Sequence, residues 1–418
     1  MMRSPAGFDY ITKIRLENIR AFERLEVGLE ADKGPRMLSV IIGRNGTCKS
    51  TLLRCIALAL CQEQDASALL ALPNTQMLSE GAREGRIEVE FAGPADTGSV
   101  QPAKITMVLG RKGDRDVVMG RSTHRQKDSM HSFFACGYGA GRGRTGPTTR
   151  RAYRVMDSVS MLFDYERTFA DPELILRRLR DFLGTDRYEN AIKGIKRVLG
   201  LGPDDRISVK EGGGVRISGP AIGADIPLEG WADGYRLTLD WLIDLYGWAL
   251  QAEAIGENGN VQGILLIDEV EQHLHPAMQR EILGDLAEAL PEMQIFATTH
   301  SPLVAVATRS ENLVALHRKG KRVEAAAVPS LEGYSVEDAL VEESLFGTDP
   351  YPPETRERLD SYRKLAAIPP ERRKPPQVDE LRRLAEQLDP ALLPGLRDDP
   401  TIKRLRELTD KLAQEGQA

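Results

Sequence analysis

Apolar and polar positions alternate from Ile11 to Glu17, and Arg36 to Ile42 is a mostly apolar run that stops at a glycine-rich turn. Both patterns predict strands. From Ser50 to Leu60 the residues Leu52, Leu53, Ile56, Ala57 and Leu60 recur at helical spacing, so the local order is strand, glycine loop, helix. Arg86 to Phe91 and Lys104 to Leu109 predict further strands, separated by a Pro/Gly turn region from Gly93 to Pro102, and an antiparallel subdomain is expected. Gly137 to Arg151, rich in Gly, Arg and Thr, reads as a mobile loop, and Pro172 to Leu199 reads as helices with several basic residues. Ile264 to Ile267 and Gln294 to Ala297 are short apolar strands separated by a helix from about Pro276 to Leu290, an alternation that favours a parallel sheet. Beyond Val328 helices with proline breaks dominate, and Ile402, Leu405, Leu408 and Leu412 share one face of the last. No sustained heptads and no internal repeat emerge.

A chain of 418 residues exceeds one ordinary core, so a main domain carrying an insertion and a smaller C-terminal appendage is expected. The longest apolar stretches, such as Gly263 to Ile267, are far too short to span a bilayer, and the N-terminal MMRSPAGFDY has no apolar export segment. These features predict a cytoplasmic protein with no membrane partner. Cys48, Cys55, Cys61 and Cys136 form no CxxC pair, which fits free thiols in a reducing compartment. The net charge of −6 argues against a globally basic nucleic-acid coat, while local patches remain compatible with phosphate binding.

The chemistry is concentrated at three places. Gly43, Arg44, Asn45, Gly46, Thr47, Cys48, Lys49, Ser50 and Thr51 lie between a strand and a helix, where backbone N–H groups can wrap phosphates. Lys49 would reach the β- and γ-phosphates of ATP, and Ser50 would place its hydroxyl on Mg²⁺. Cys48 stands where such loops carry glycine, and a side chain there crowds the cradle or imposes an unfavourable φ. It is either a tolerated variation or, beside Lys49 at a helix start, an acidified thiol that senses oxidation.

The second place is the apolar strand ending in Asp268 and Glu269, at the edge where a parallel α/β sheet presents its chemistry. Asp268 would orient Mg²⁺, and Glu269 would polarise the water that attacks the γ-phosphate. His273 and His275 follow, either as a metal pair or, with no third ligand at a natural spacing, as a turn at a subunit interface. The third place is Thr298-Thr299-His300-Ser301-Pro302, which sets His300 at a strand end within reach of a γ-phosphate.

Together GRNGTCKST, ILLIDEVEQHLHP and TTHSP resemble the ABC-type ATPases of the RecF, SMC and OLD group, especially the compact ATPases of bacterial anti-phage systems such as the Septu, retron-associated and PARIS types. The resemblance covers roughly residues 10 to 320. It implies an α/β fold with a mixed central sheet, an antiparallel β subdomain, a helical insertion and a helical C-terminal region. The implied division is an N-terminal lobe at 1–135, a lid loop and insertion at 136–228, a C-terminal lobe at 229–327 and an appendage at 328–418.

In that family a signature loop of one subunit closes on the ATP of a second copy, and Trp231-Ala232-Asp233-Gly234-Tyr235-Arg236 fits its position. Asp233 and Gly234 would then cap the γ-phosphate in trans; the bland reading is a helix-starting turn. Ala232 replaces the usual serine, so Cys48 and Ala232 would both fall on one composite site and slow its turnover. The segment from Gly137 to Arg142 is similar to a YGxxR motif near the lid. Arg142, Arg144, Arg150, Arg151 and Arg154 form either a contact for nucleic acid or a partner, or a solvated basic loop.

Three functions follow from the resemblance. The first is a defence ATPase that scaffolds and releases a separate effector protein, a nuclease or toxin. The second is a RecF-like repair ATPase whose dimer clamps DNA, and the third a transporter's nucleotide-binding subunit, which the HLHP and TTHSP segments disfavour.

Overall fold

The computed structural model describes residues 10–31, 34–92, 103–124, 134–142, 146, 152–210, 214–220, 223–349 and 351–388. The chain divides into two compact units, Met1–Thr348 and Asp349–Ala418.

The first unit is built on a six-stranded sheet. Its spatial order is Arg322–Ala326, Leu313–Lys319, Leu38–Ile42, Met293–Thr298, Gly263–Ile267 and Ala135–Tyr138. All neighbours pair in parallel except the outermost pair, Leu313–Lys319 with Arg322–Ala326, which is antiparallel. The inner strands are buried on both faces, which explains why they read as continuous apolar runs rather than alternating ones.

Alternate residues of these strands enter two different cores. Ile41, Ile264, Leu266 and Phe296 pack with the helix Lys49–Leu60 and with a second sheet, whereas Val40, Ile42, Leu265, Ile267, Ile295 and Ala297 pack with the helices on the opposite face. The second sheet is antiparallel, ordered Phe22–Gly28, Tyr10–Ile19, Glu84–Ala92, Ala103–Lys112 and Arg115–His124. Its inward positions, Ile14, Leu16, Ile87, Val89, Ile105 and Met107, close over the helix Lys49–Leu60. Gln294 ties the two sheets together. Its side-chain oxygen accepts from the Ile11 N–H at 2.7 Å, and its nitrogen donates to the carbonyls of Ile11 and Arg36.

On the opposite face lie the helices Pro172–Leu183, Thr185–Val198, Asp233–Gln251 and Pro276–Ala289. The first begins as its sequence directs: Asp171 caps it by accepting from the Glu173 N–H, and Pro172 occupies the first turn. Between this helical pair and Asp233–Gln251 sits a three-stranded antiparallel sheet, Arg206–Lys210, Gly214–Gly219 and Gly223–Pro227, in a region where sequence patterning points only to helices and loop.

The reading of a mobile loop from Gly137 to Arg151 is corrected at its start. Gly137 and Tyr138 are fully buried members of the strand Ala135–Tyr138, which also spans the division drawn at 135. Residues 328–348 cluster with the first unit, where Leu331, Ala339, Leu345 and Phe346 enter its core. The turn region from Gly93 to Pro102, the residues Arg144, Arg150 and Arg151, and the amphipathic pattern from Ile402 to Leu412 lie outside the described residues.

Within the second unit the helices Pro353–Ala366 and Pro375–Gln387 share a small core of Leu359, Tyr362, Leu384 and Leu388. No helix among the described residues is long and apolar enough to cross a membrane.

Candidate functional site

The carboxyl ends of the parallel strands bring together the loop before Lys49, the acidic pair Asp268 and Glu269, and His300. The loop leaves the strand Leu38–Ile42, and its last residue before the helix Lys49–Leu60 is Cys48. Gly43 there has φ +147°, and a Cβ on it would come within 2.4 Å of the Leu316 carbonyl oxygen, so the position tolerates no side chain. Cys48 adopts φ 64° and ψ 30°, the left-handed region that favours glycine. The conformational cost anticipated from the sequence is therefore present, on the order of 1 kcal/mol.

Lys49 is buried, and its Nζ donates to the carbonyls of Gly43 at 2.7 Å and Arg44 at 3.2 Å while lying 3.3 Å from His300 Nδ1. Burial lowers its pKa to about 8, against the opposing pull of Asp268, Glu271 and Glu269. Burial also lowers the His300 pKa, and the Lys49 charge adds to the effect, so the imidazole is held toward its neutral form.

The acidic pair is fixed through its backbone as much as through its carboxylates. The Thr298 hydroxyl accepts from the Glu269 N–H at 2.8 Å and donates to Asp268 Oδ1 at 2.5 Å. Arg142, buried, forks onto two successive carbonyls of this pair: Nη1 donates to the Asp268 carbonyl at 2.5 Å and Nη2 to the Glu269 carbonyl at 2.7 Å. Burial lowers the pKa of this guanidinium to about 10, which leaves it charged, and Asp268, Glu271 and Glu269 favour that charge. Glu269 has φ 50°, a strained setting for a non-glycine residue that these hydrogen bonds hold in place. Glu271 accepts the His300 N–H on Oε1 at 2.6 Å, which joins the acidic turn to the histidine loop.

Patterning and motif spacing leave four of these contributors unassigned. Arg142 belongs beneath the acidic pair rather than in an exposed basic loop; the glycine and tyrosine before it were the available signal. Arg318 donates to the Gly46 carbonyl at 2.6 Å and braces the phosphate loop from 272 residues away. Thr298 and Glu271 stand inside quoted motifs, yet only their contacts reveal what they do. Over the loop opens a cleft of about 1350 Å³, lined by Lys49, Ser50, Thr51 and His300 and by the cationic side chains of Arg111 and Arg318.

The signature-like segment starts the helix Asp233–Gln251, with Ala232 at the N-cap and therefore no side-chain acceptor for the helix's free N–H groups. Gly234 packs directly against the acidic turn: a Cβ on it would lie 2.2 Å from the His273 carbonyl oxygen. His275 caps the helix Pro276–Ala289 by accepting from the Ala277 N–H at 3.3 Å. Among the described residues no group of three His, Cys, Asp or Glu could hold a metal ion, so the structure offers no support for a histidine metal pair. Mg²⁺ would instead use Ser50, Asp268, phosphate oxygens and water, the oxygen-rich set this ion takes. The donor chemistry fits, and Lys49, held on the loop carbonyls, places a cation beside it.

A family described as "AAA domain" matches residues 13–133, and one described as "AAA domain, putative AbiEii toxin, Type IV TA system" matches 238–307. The chain is 24% identical to the Septu protein PtuA of Bacillus mycoides (strain KBAB4), over 91% of its own length and 50% of that protein's. It therefore spans half the length of that relative. It is 44% identical to "Retron Vc95 probable ATPase" of Vibrio cholerae over 13% of this chain and 10% of that one. To the OLD nuclease of Thermus scotoductus it is 25% identical over 72% of this chain and 61% of that one. Motif order and these matches make the chain similar to AAA-domain proteins and to the Septu, retron and OLD proteins, of which it spans a part.

Proposed function

We propose that this protein is an ATP-dependent switch of bacterial anti-phage defence that binds ATP with Mg²⁺, hydrolyses it slowly, and controls a separate effector. The observation that carries this reading is the convergence of Lys49, Asp268, Glu269 and His300 on one sheet edge, with the lysine and histidine 3.3 Å apart. Lys49 neutralises the β- and γ-phosphates, Ser50 and Asp268 hold the metal, Glu269 orients the attacking water, and His300 contacts the γ-phosphate. The remaining loop residues, Gly43 through Thr47 with Thr51, line the phosphates with backbone N–H groups.

A second copy completes the site. The N-terminus of Asp233–Gln251, with Gly234 at its first turn, supplies N–H groups to the γ-phosphate across a head-to-tail dimer. Closure then depends on ATP and opening on its hydrolysis. Slow turnover follows from two features: Cys48 strains the phosphate loop, and Ala232 withholds a hydroxyl from the phosphate. The Septu and retron relatives favour a defence setting in which the effector is another chain.

The test is purification from the native operon with the Glu269→Gln change and MgATP. A nucleotide-trapped dimer that brings a second protein supports the reading. A monomer that releases nucleotide refutes the switch, and a salt-sensitive complex with DNA alone moves the assignment to a repair clamp.

A further inference from the structure

Glu271 is the acidic group of this centre that the proposed chemistry leaves without a task. Its Oε1 accepts the backbone N–H of His300 at 2.6 Å. Its Oε2 is buried and has no hydrogen-bond partner among the described residues. A buried carboxylate oxygen without a donor is costly, by about 1–3 kcal/mol or more, and in native structures such an atom marks a missing water, ion or ligand.

The neighbouring cations do not supply that donor. Glu271 is near enough to Lys49, Arg142 and His300 to act on the charge of each. Lys49 nevertheless directs its ammonium to the carbonyls of Gly43 and Arg44 and toward His300 Nδ1. Arg142 directs its fork to the carbonyls of Gly139, Asp268 and Glu269. What the site binds can bring a donor for Oε2. Mg²⁺ keeps several of its waters when it binds phosphates, and those waters are polarised donors that seek carboxylate acceptors.

We propose that Glu271 is an acidic ligand of the nucleotide-bound Mg²⁺ acting through water: Oε2 accepts from a metal-bound water while Oε1 holds the peptide of His300. One side chain thereby ties metal loading to the position of the histidine. The proposal rests on the ATP reading above.

The Glu271→Gln variant separates the two oxygens' tasks, because its amide oxygen still accepts the His300 N–H while the charge is gone. In a Glu269→Gln background, binding of a fluorescent ATP analogue is measured as Mg²⁺ is titrated, and again in EDTA. Glu271→Gln should raise the Mg²⁺ needed for half-maximal binding about tenfold. Binding in EDTA should be equal or tighter, since a negative charge has left the phosphate centre. An unchanged Mg²⁺ requirement overturns the proposal and leaves the ATP reading standing. Failure of the Glu269→Gln parent to bind the analogue at any Mg²⁺ concentration overturns both. If Glu271→Gln unfolds, Glu271→Asp in the same titration reads the same shift, because it keeps the charge and displaces the free oxygen.

Discussion

Lys49 Nζ and His300 Nδ1 stand 3.3 Å apart, with the lysine hydrogen-bonded to its own loop and the imidazole held toward neutrality. This pair makes nucleotide binding depend on pH. The free protein's lysine loses its charge as pH rises through about 8. Bound phosphates raise that pKa, so the complex holds a proton that the free protein has given up. Affinity should be level below that pH and weaken above it, by up to about tenfold per pH unit. Titration calorimetry in buffers of different ionisation heat would show the proton uptake, and a flat affinity from pH 7 to 9.5 would contradict it. Lys49→Ala should abolish binding throughout.

The two departures, Cys48 and Ala232, should act in the same direction on turnover if they share the proposed composite site. Cys48→Gly relieves a left-handed residue, and Ala232→Ser restores an N-cap acceptor worth about 0.5–2 kcal/mol to the helix Asp233–Gln251. The double variant should hydrolyse ATP faster than the parent in a steady-state phosphate-release assay. Equal or slower turnover would show that neither residue limits the reaction.

Thr298→Val removes the hydroxyl that joins Asp268 Oδ1 to the Glu269 N–H. A buried N–H loses its acceptor, at a cost of about 1–3 kcal/mol. Thermal unfolding should register that loss, and kcat should fall while nucleotide affinity, carried by the loop, changes little.

Arg142→Lys keeps a cation but loses the fork that holds two successive carbonyls. Because Glu269 depends on that fork for its φ of 50°, kcat should drop at least tenfold with little change in KM. If Arg142 only supported the fold, the lysine variant would lose stability and keep its kcat.

Gly234→Ala places a Cβ 2.2 Å from the His273 carbonyl, so the signature-like helix and the acidic turn must separate. ATP binding to one protomer should survive, whereas MgATP-driven dimerisation of a Glu269→Gln protein should weaken, as read by light scattering.

Much of this site was legible because its parts are local. A glycine loop between strand and helix, an apolar strand ending in carboxylates and a histidine after a strand each announce themselves within about ten residues. Arg142 was only partly legible: the YGxxR resemblance set it near the lid, but its hold on the acidic pair appears only once the strand Ala135–Tyr138 is seen to lie beside Gly263–Ile267. Arg318 was hidden for the same reason, since its contact with Gly46 spans 272 residues.

The sequence alone determined the strands and helices that carry the phosphate loop, the acidic pair and His300, the chemistry available at each of those strand ends, and the two positions where glycine and serine would be usual. Periodicity and turn residues encode those features over short distances. Only the tertiary structure decided that Thr298, Arg142 and Glu271 belong to the acidic centre, and that Gly234 meets His273. Those relationships arise from strand order in a crossover sheet, where neighbours in space are far apart in the chain. Hydrogen bonds there depend on fractions of an ångström that no local pattern carries.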